Sequence, residues 1–149
     1  MNTELETRKH QQQVQEYLLQ MIHELAKRAS SHDKSKLESP EYEVFSKYTQ
    51  LLKGTTYGSE EYDKYLEEMK PALDHHYANN SHHPEHYNGH GGINGMDLID
   101  LLEMFVDWKS ATLRHADGNM KKSIEHNQKR FSIGDQLTKI FKNTMKYFE

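Results

Sequence analysis

The stretch MDLIDLLEMFVDWKSATLRH, residues 96–115, decides the fold. Wound as a helix it is apolar on nearly every side, and such a helix sits in the middle of a domain. Its polar exceptions fall in line: Asp100, Glu103, Asp107 and Arg114 recur at three, four and seven residues, so they share one face, with the small Ser110 and Ala111 between them. Carboxylates four apart, such as Glu103 and Asp107, repel one another. A buried ionised carboxylate costs on the order of several kcal/mol unless something neutralises it. Two cations answer that need: Arg114 on the same face, or a metal ion bound jointly with histidines.

Immediately upstream lies HHYANNSHHPEHYNGHGG, residues 75–92, which holds six of the eleven histidines: His75, His76, His82, His83, His86 and His90. They are spaced by Asn, Tyr, Pro and Gly in mid-chain, unlike a terminal purification tag, and they suggest a site. Pro84, Gly89, Gly91 and Gly92 make the segment from Asn79 to Gly95 mostly loop. Ser59-Glu60-Glu61 starts the helix that leads into it, with an inward line of Tyr62, Leu66, Met69, Leu73 and His76. That line delivers His76, and not His75, to the core. Pro71 lacks an amide proton and predicts a kink or boundary within the helix.

Farther toward the N-terminus, Ser39-Pro40-Glu41 predicts a cap followed by a first-turn proline, opening a helix that runs to about Lys53 and stops at Gly54. From Thr3 to about Ala29, Val14, Leu18, Met21, Ile22, Leu25, Ala26 and Ala29 fall at the spacing of an amphipathic helix, with His10 on the same stripe. Ser30-Ser31 ends it. On the other side of the opening stretch, Asn119 to Phe131 and Ser132 to Phe148 form two closing helices, with stripes Met120, Ile124, Phe131 and Ile133, Leu137, Ile140, Phe141, Phe148. Tyr42, Tyr48, Tyr57, Tyr62 and Tyr65 read mostly as core. No strand-like alternation and no repeat stands out. The expectation is an all-α fold, a compact helical bundle of about five to seven helices with a His-rich loop, in one domain over residues 1–149.

The totals agree. At 34% hydrophobic and 28% charged residues, with nine Tyr, five Phe and one Trp, the chain has the composition of a soluble protein with a lean core rather than a disordered one. It has no cysteine, so a disulfide framework and a Cys-based zinc finger are both excluded, and a transition-metal site must use His and carboxylates. The first residues lack the pattern of a signal peptide and no apolar run approaches the ~18 residues needed to cross a bilayer, so a cytoplasmic protein without membrane partners is expected. A net charge of −4 with dispersed Lys and Arg gives no basic stripe for polymeric nucleic acid. A nucleotide remains open as substrate, and the apolar stripes leave room for a homo-oligomer.

The remaining candidate is SSHDKSK, where His32 and Asp33 stand at the end of a helix. At a helix terminus the backbone can turn so that adjacent side chains reach one ion. Imidazole and carboxylate ligands suit Mn, Fe, Co, Ni or Zn. The plain alternative is an Asx-type turn with an exposed histidine. His76 likewise reads as a ligand or as a core histidine bonded to a carboxylate of the central helix. His82 and His83 stand on a loop, where functional groups concentrate. His75, His86 and His90 read as outer-rim residues. Glu103 has three roles open to it: ligand, general base, or partner orienting a histidine through its other ring nitrogen.

His10 followed by Val14, then His32-Asp33 with Lys36, then Asp107, resembles the H…HD…D pattern of the HD-domain metal-dependent phosphohydrolases. HDKSKLESPE, TYGSEEY, HHYANNSHHPEHY and MDLIDLLEMFVDWKSATLRHADG look more closely like a family of small, uncharacterised HD-like proteins of bacteria and phages. The resemblance covers most of the chain. It implies an all-helical HD-like fold in which His32, Asp33 and Asp107 bind a divalent metal, one or two ions drawn from Mn, Fe, Co, Ni, Zn or Mg. His76, His82 and His83 match the location of histidines that extend such sites toward a second ion. Lys36 matches a lysine that meets a phosphate oxygen. The implied reaction is hydrolysis of a phosphate ester, often of a nucleotide, with the metal lowering the pKa of bound water and offsetting charge on phosphate oxygens. His10 departs from the pattern: an unbroken helix over residues 10 to 29 spans roughly 28 Å at about 1.5 Å per residue, too far for His10 and His32 to share an ion.

The expectation is therefore a phosphohydrolase of small phosphorylated substrates, with Lys36 and Glu103 assisting. Its rival is a binding protein in which a structural metal pins the histidine loop, for example a phage protein that engages a host factor. A metal-dependent oxidase on a similar scaffold is a lesser third reading.

Overall fold

The computed structural model describes residues 2–55, 59–114 and 118–148, so Tyr57, and the last residue of the stretch 96–115, lie outside the described residues. Among the described residues the protein is all-helical, with six α-helices joined by short 3-10 turns and no strand. Its contacts divide it into two units, residues 1–32 and 33–149. No helix among the described residues is long and apolar enough to cross a membrane.

The first unit is α1 (Thr3–Ser31). Asn2 caps it by accepting from the Leu5 amide. Glu4–Arg8, Glu6–Lys9 and Glu24–Lys27 pairs at three- and four-residue spacing line its surface. The helix runs two residues beyond the expected Ala29, because the Ser30 and Ser31 hydroxyls bond back to the Lys27 carbonyl at 2.8 and 2.9 Å. It has no break, so His10 stays exposed in its first half, far from its end. None of its residues is buried, and Val14, Leu18, Met21 and Ile22 are exposed, where the stripe had suggested a core-facing side.

The second unit opens with a 3-10 turn (Lys34–Leu37), then α2 (Glu41–Lys53) and α3 (Glu60–Asn79). The expected Ser39 cap is not formed: Pro40, after a cis Ser39–Pro40 bond, is the N-cap residue of α2, and Glu41 is the first helical residue. Ser59 does cap α3, accepting from the Tyr62 amide at 3.2 Å. Pro71 marks no boundary. The helix continues through it because Met69, Ala72 and His76 are buried on both sides of the proline, so packing outweighs one missing amide bond. Of the tyrosines, Tyr48 is buried, Tyr62 and Tyr65 are half-buried and Tyr42 is exposed.

Two 3-10 turns (Pro84–Tyr87 and Gly92–Gly95) shape the histidine loop. Gly95 is needed there: a Cβ would stand 2.8 Å from the Tyr87 ring. Then come α4 (Leu98–Thr112), α5 (Met120–Phe131) and α6 (Asp135–Thr144), ending in a 3-10 turn (Met145–Phe148). Asp97 and Asp100 form a capping box at the start of α4. The apolar core joins Met104 and Phe105 to Met120, Ile124, Ile133 and Phe141, with Trp108, Leu101 and Leu137 packed against it. Phe105 stacks on Phe141 at 5.2 Å between centroids. The α4 helix is less enclosed than its composition suggests, since Leu98 is 80% and Val106 40% exposed. Ile140 also faces outward.

Candidate metal centre

The site is built where the turn after α1, the C-terminal end of α3, the histidine loop and one face of α4 meet. Asp33 sits in the left-handed region, φ 54°. Asp and Asn tolerate that conformation better than other non-glycine residues, and here it lets the chain leave a helix and enter the 3-10 turn at once. Helical phase carries His76 inward from α3, whereas His75 keeps 40% of its side chain exposed. The loop is fastened to α4 through Asp100, a buried carboxylate that accepts from the Ser81 hydroxyl and the Tyr87 hydroxyl, each at 2.6 Å. Ser81 lies directly before His82, so this anchor fixes where His82 and His83 begin.

Four donor atoms converge, one each from Asp33, His76, His82 and His83, all within 4.8 Å of one another. Asp33 Oδ1 lies 3.3 Å from His76 Nε2 and 3.4 Å from His82 Nε2, and His76 Nε2 lies 3.0 Å from His83 Nε2. Ligand atoms about 2.1 Å from a common ion stand about 3.0 Å apart in octahedral and about 3.4 Å apart in tetrahedral geometry. The spacing therefore suits a first-row ion. Asp107 flanks the group, its Oδ2 3.9 Å from His82 Nε2.

The outer nitrogens of two of these rings face carboxylates. His76 Nδ1 is 2.8 Å from Glu41 Oε2, and His82 Nδ1 is 3.2 Å from Glu103 Oε1. An ionised carboxylate only accepts, so in a neutral ring each Nδ1 carries the proton and each Nε2 turns a lone pair inward. That is how ligand histidines are oriented in metal proteins. Burial opposes ionisation of Glu41, but hydrogen bonds from His75, His76 and Ser35 outweigh it and hold its pKa below the usual value. Burial likewise opposes ionisation of Asp33, but His76 and His82, whenever their rings carry a second proton on Nε2, and Lys36 outweigh it and hold its pKa below the usual value. Burial, reinforced by His82 and His76, pushes the His83 imidazole down to about 3, so it is neutral at physiological pH and able to donate a lone pair.

His32, the residue before Asp33, is the C-cap of α1, its amide bonded to the Arg28 carbonyl at 2.8 Å. Other residues lie outside the converging donor set. His90 is exposed, and His86 donates through Nδ1 to the Tyr77 carbonyl at 2.7 Å, a structural contact. Arg114 is exposed past the end of α4 and forms no ion pair among the described residues, so it is not the partner of Asp107. The spacing of seven put both on one face, but α4 stops at Thr112 and the chain turns before Arg114. Lys36 Nζ lies 2.6 Å from Asp33 Oδ2. Glu41 was not foreseen: a glutamate in the first turn of a helix ordinarily reads as a solvent-facing answer to the helix dipole.

The model of one protein family, described as "Family of unknown function (DUF5662)", matches residues 1–149. Neither a curated protein nor a solved structure matches the chain.

Proposed function

The chain thus belongs to the DUF5662 family, and from that premise we propose that it is a metal-dependent phosphohydrolase of small phosphorylated substrates, of the nucleotide or nucleotide-derived class, working in the cytoplasm. One observation carries the reading: three imidazole nitrogens and a carboxylate oxygen point at a common centre, with carboxylates holding the outer nitrogens of two of the rings. Asp33, His76, His82 and His83 would hold a divalent ion, with Asp107 beside them. The HD resemblance adds His32, the residue preceding Asp33. An imidazole-rich donor set favours Fe, Co, Ni or Zn over Mg.

A divalent ion at such a site lowers the pKa of a bound water and offsets charge developing on phosphate oxygens. The chain supplies the rest. Lys36, on the rim of the site with its ammonium at Asp33, turns to a phosphate oxygen. Glu103 keeps the proton of His82 on Nδ1. The net charge of −4, with Lys and Arg dispersed along the sequence, favours a small phosphorylated molecule over a polymer.

A second reading is favoured by the number of donors. Four protein ligands close a tetrahedral site, and closed sites are structural, whereas catalytic ones keep an open position. The protein would then be a binder whose metal pins the loop.

Elemental analysis of the protein beside an Asp33→Asn, Asp107→Asn variant, with a phosphate-release screen over nucleotides using the metal found, tests both. Stoichiometric metal lost in the variant, with turnover in the wild type and in His90→Ala, supports the hydrolase. Metal without exchangeable water or turnover supports the binder, and absence of metal after loading with several ions sinks both.

A further inference from the structure

Glu41 is fully buried, yet it lies outside the converging donor set. Its two oxygens are shared between adjacent histidines, Oε1 with His75 Nδ1 at 2.7 Å and Oε2 with His76 Nδ1 at 2.8 Å. The Ser35 hydroxyl also donates to Oε2, at 3.0 Å, and accepts from Asn80 Nδ2 at 2.8 Å. Asn80 Nδ2 comes within 3.1 Å of His76 Nδ1 as well, but its bonds to Ser35 Oγ and to the His76 carbonyl account for both its hydrogens. Ser35 Oγ also lies 3.3 Å from His76 Nδ1, but the carboxylate at 2.8 Å is nearer and charged, and so is the stronger acceptor for the His76 ring. It comes from α2, while the rings come from α3 and Ser35 from the turn before α2. One charged group thus ties three elements together behind a single ring.

We propose that Glu41 is the positioning residue of the centre: it fixes His76 in the Nδ1–H tautomer, so that Nε2 presents its lone pair to the ion, and it uses His75 as a second anchor. This rests on the metal reading above for its consequence but not for its geometry. Carboxylates so placed raise the basicity of the ring and fix its orientation, and removing one typically weakens metal binding about 10–100-fold. His75 then has a role other than ligation. It faces solvent on one side and, by donating to Oε1, keeps the carboxylate from rotating away from His76.

The experiment is performed on the full chain. Imidazole ¹⁵N shifts of His76 in the metal-free protein, in wild type and Glu41→Gln, report which nitrogen bears the proton. Chelator competition with Co²⁺ and Zn²⁺ then gives their affinities. The expected result is Nδ1–H in wild type, a mixture of tautomers in Glu41→Gln, whose amide can donate or accept, and affinity lower by about 10–100-fold. His75→Phe removes only the anchor and is expected to weaken binding by less than Glu41→Gln does. It also serves as the test if Glu41→Gln does not fold, since a mixed His76 tautomer in it supports the anchor and an unchanged one with unchanged affinity overturns it. Wild-type His76 protonated on Nε2, or a Glu41→Gln protein with unaltered tautomer and affinity, overturns the proposal. If wild type binds no metal while His76 is Nδ1–H and Glu41-dependent, the metal reading fails and the positioning contact stands.

Discussion

The two faces of α4 solve opposite problems with one helix. On one face Met104 and Phe105 disappear into an apolar core shared with α5 and α6. On the other, Asp100, Glu103 and Asp107 meet the histidine loop. The apolar face gains from burial in rough proportion to area and tolerates approximate shape. The polar face gains only if every partner is in place, because an unmet buried polar group costs more than a formed hydrogen bond returns. The core face therefore stabilises, and the other face specifies.

The comparison breaks first at Phe105. Truncation to Ala is expected to cost about 3–5 kcal/mol, because a fully buried ring stacked on Phe141 leaves a cavity. Chemical denaturation would measure that loss, and the molecules still folded should match the wild type at the proposed metal centre in any ion they bind. A change there in the folded fraction would mean that the two faces are coupled.

Asp100→Asn strikes the other face. The amide keeps one acceptor for two hydroxyls, so about 1–3 kcal/mol is expected, with the larger part of the effect seen as faster amide exchange over Ser81–Tyr87. Uniform loosening of α5 and α6 instead would assign Asp100 to the core.

The smallest and most selective probe is pH. The His83 ring refuses a proton when folded until pH falls to about 3, but accepts one near 6.5 when unfolded. Between those values the unfolded chain binds more protons, so the metal-free protein should lose stability as pH falls from about 6.5 toward 3. Asp33 and Glu41, both lowered in the folded state, add loss in the same direction at the acid end of that window, below their ordinary carboxylate values. Over this range, melting curves should show the wild type losing more stability than His83→Phe as pH falls. Parallel curves would show that His83 is not buried neutral.

Much of the fold was legible. The helical phase of Tyr62, Leu66, Met69, Leu73 and His76 placed His76 inward and His75 outward, although Leu66 itself is exposed, and the stripes of the last two helices named Met120, Ile124, Ile133 and Phe141, which are buried, along with Ile140 and Phe148, which are exposed. The misreadings have local causes. Pro71 was read by its missing amide, although burial on both sides carries the helix through it, and Arg114 was read by spacing, although the helix ends first. The stripe on α1 gave a helix correctly but not a buried face.

Sequence by itself determined the helices, the absence of thiol chemistry, and the pool of residues from which a site could be drawn, because periodicity and side-chain chemistry are properties of short stretches. Only the tertiary structure decided which of the eleven histidines share a centre, that Glu103 faces a ring nitrogen, and that Glu41 stands behind His76. Those facts depend on where a turn sends the chain after Asp33 and on how α2 packs on α3, and contacts between residues distant in sequence leave no period to read.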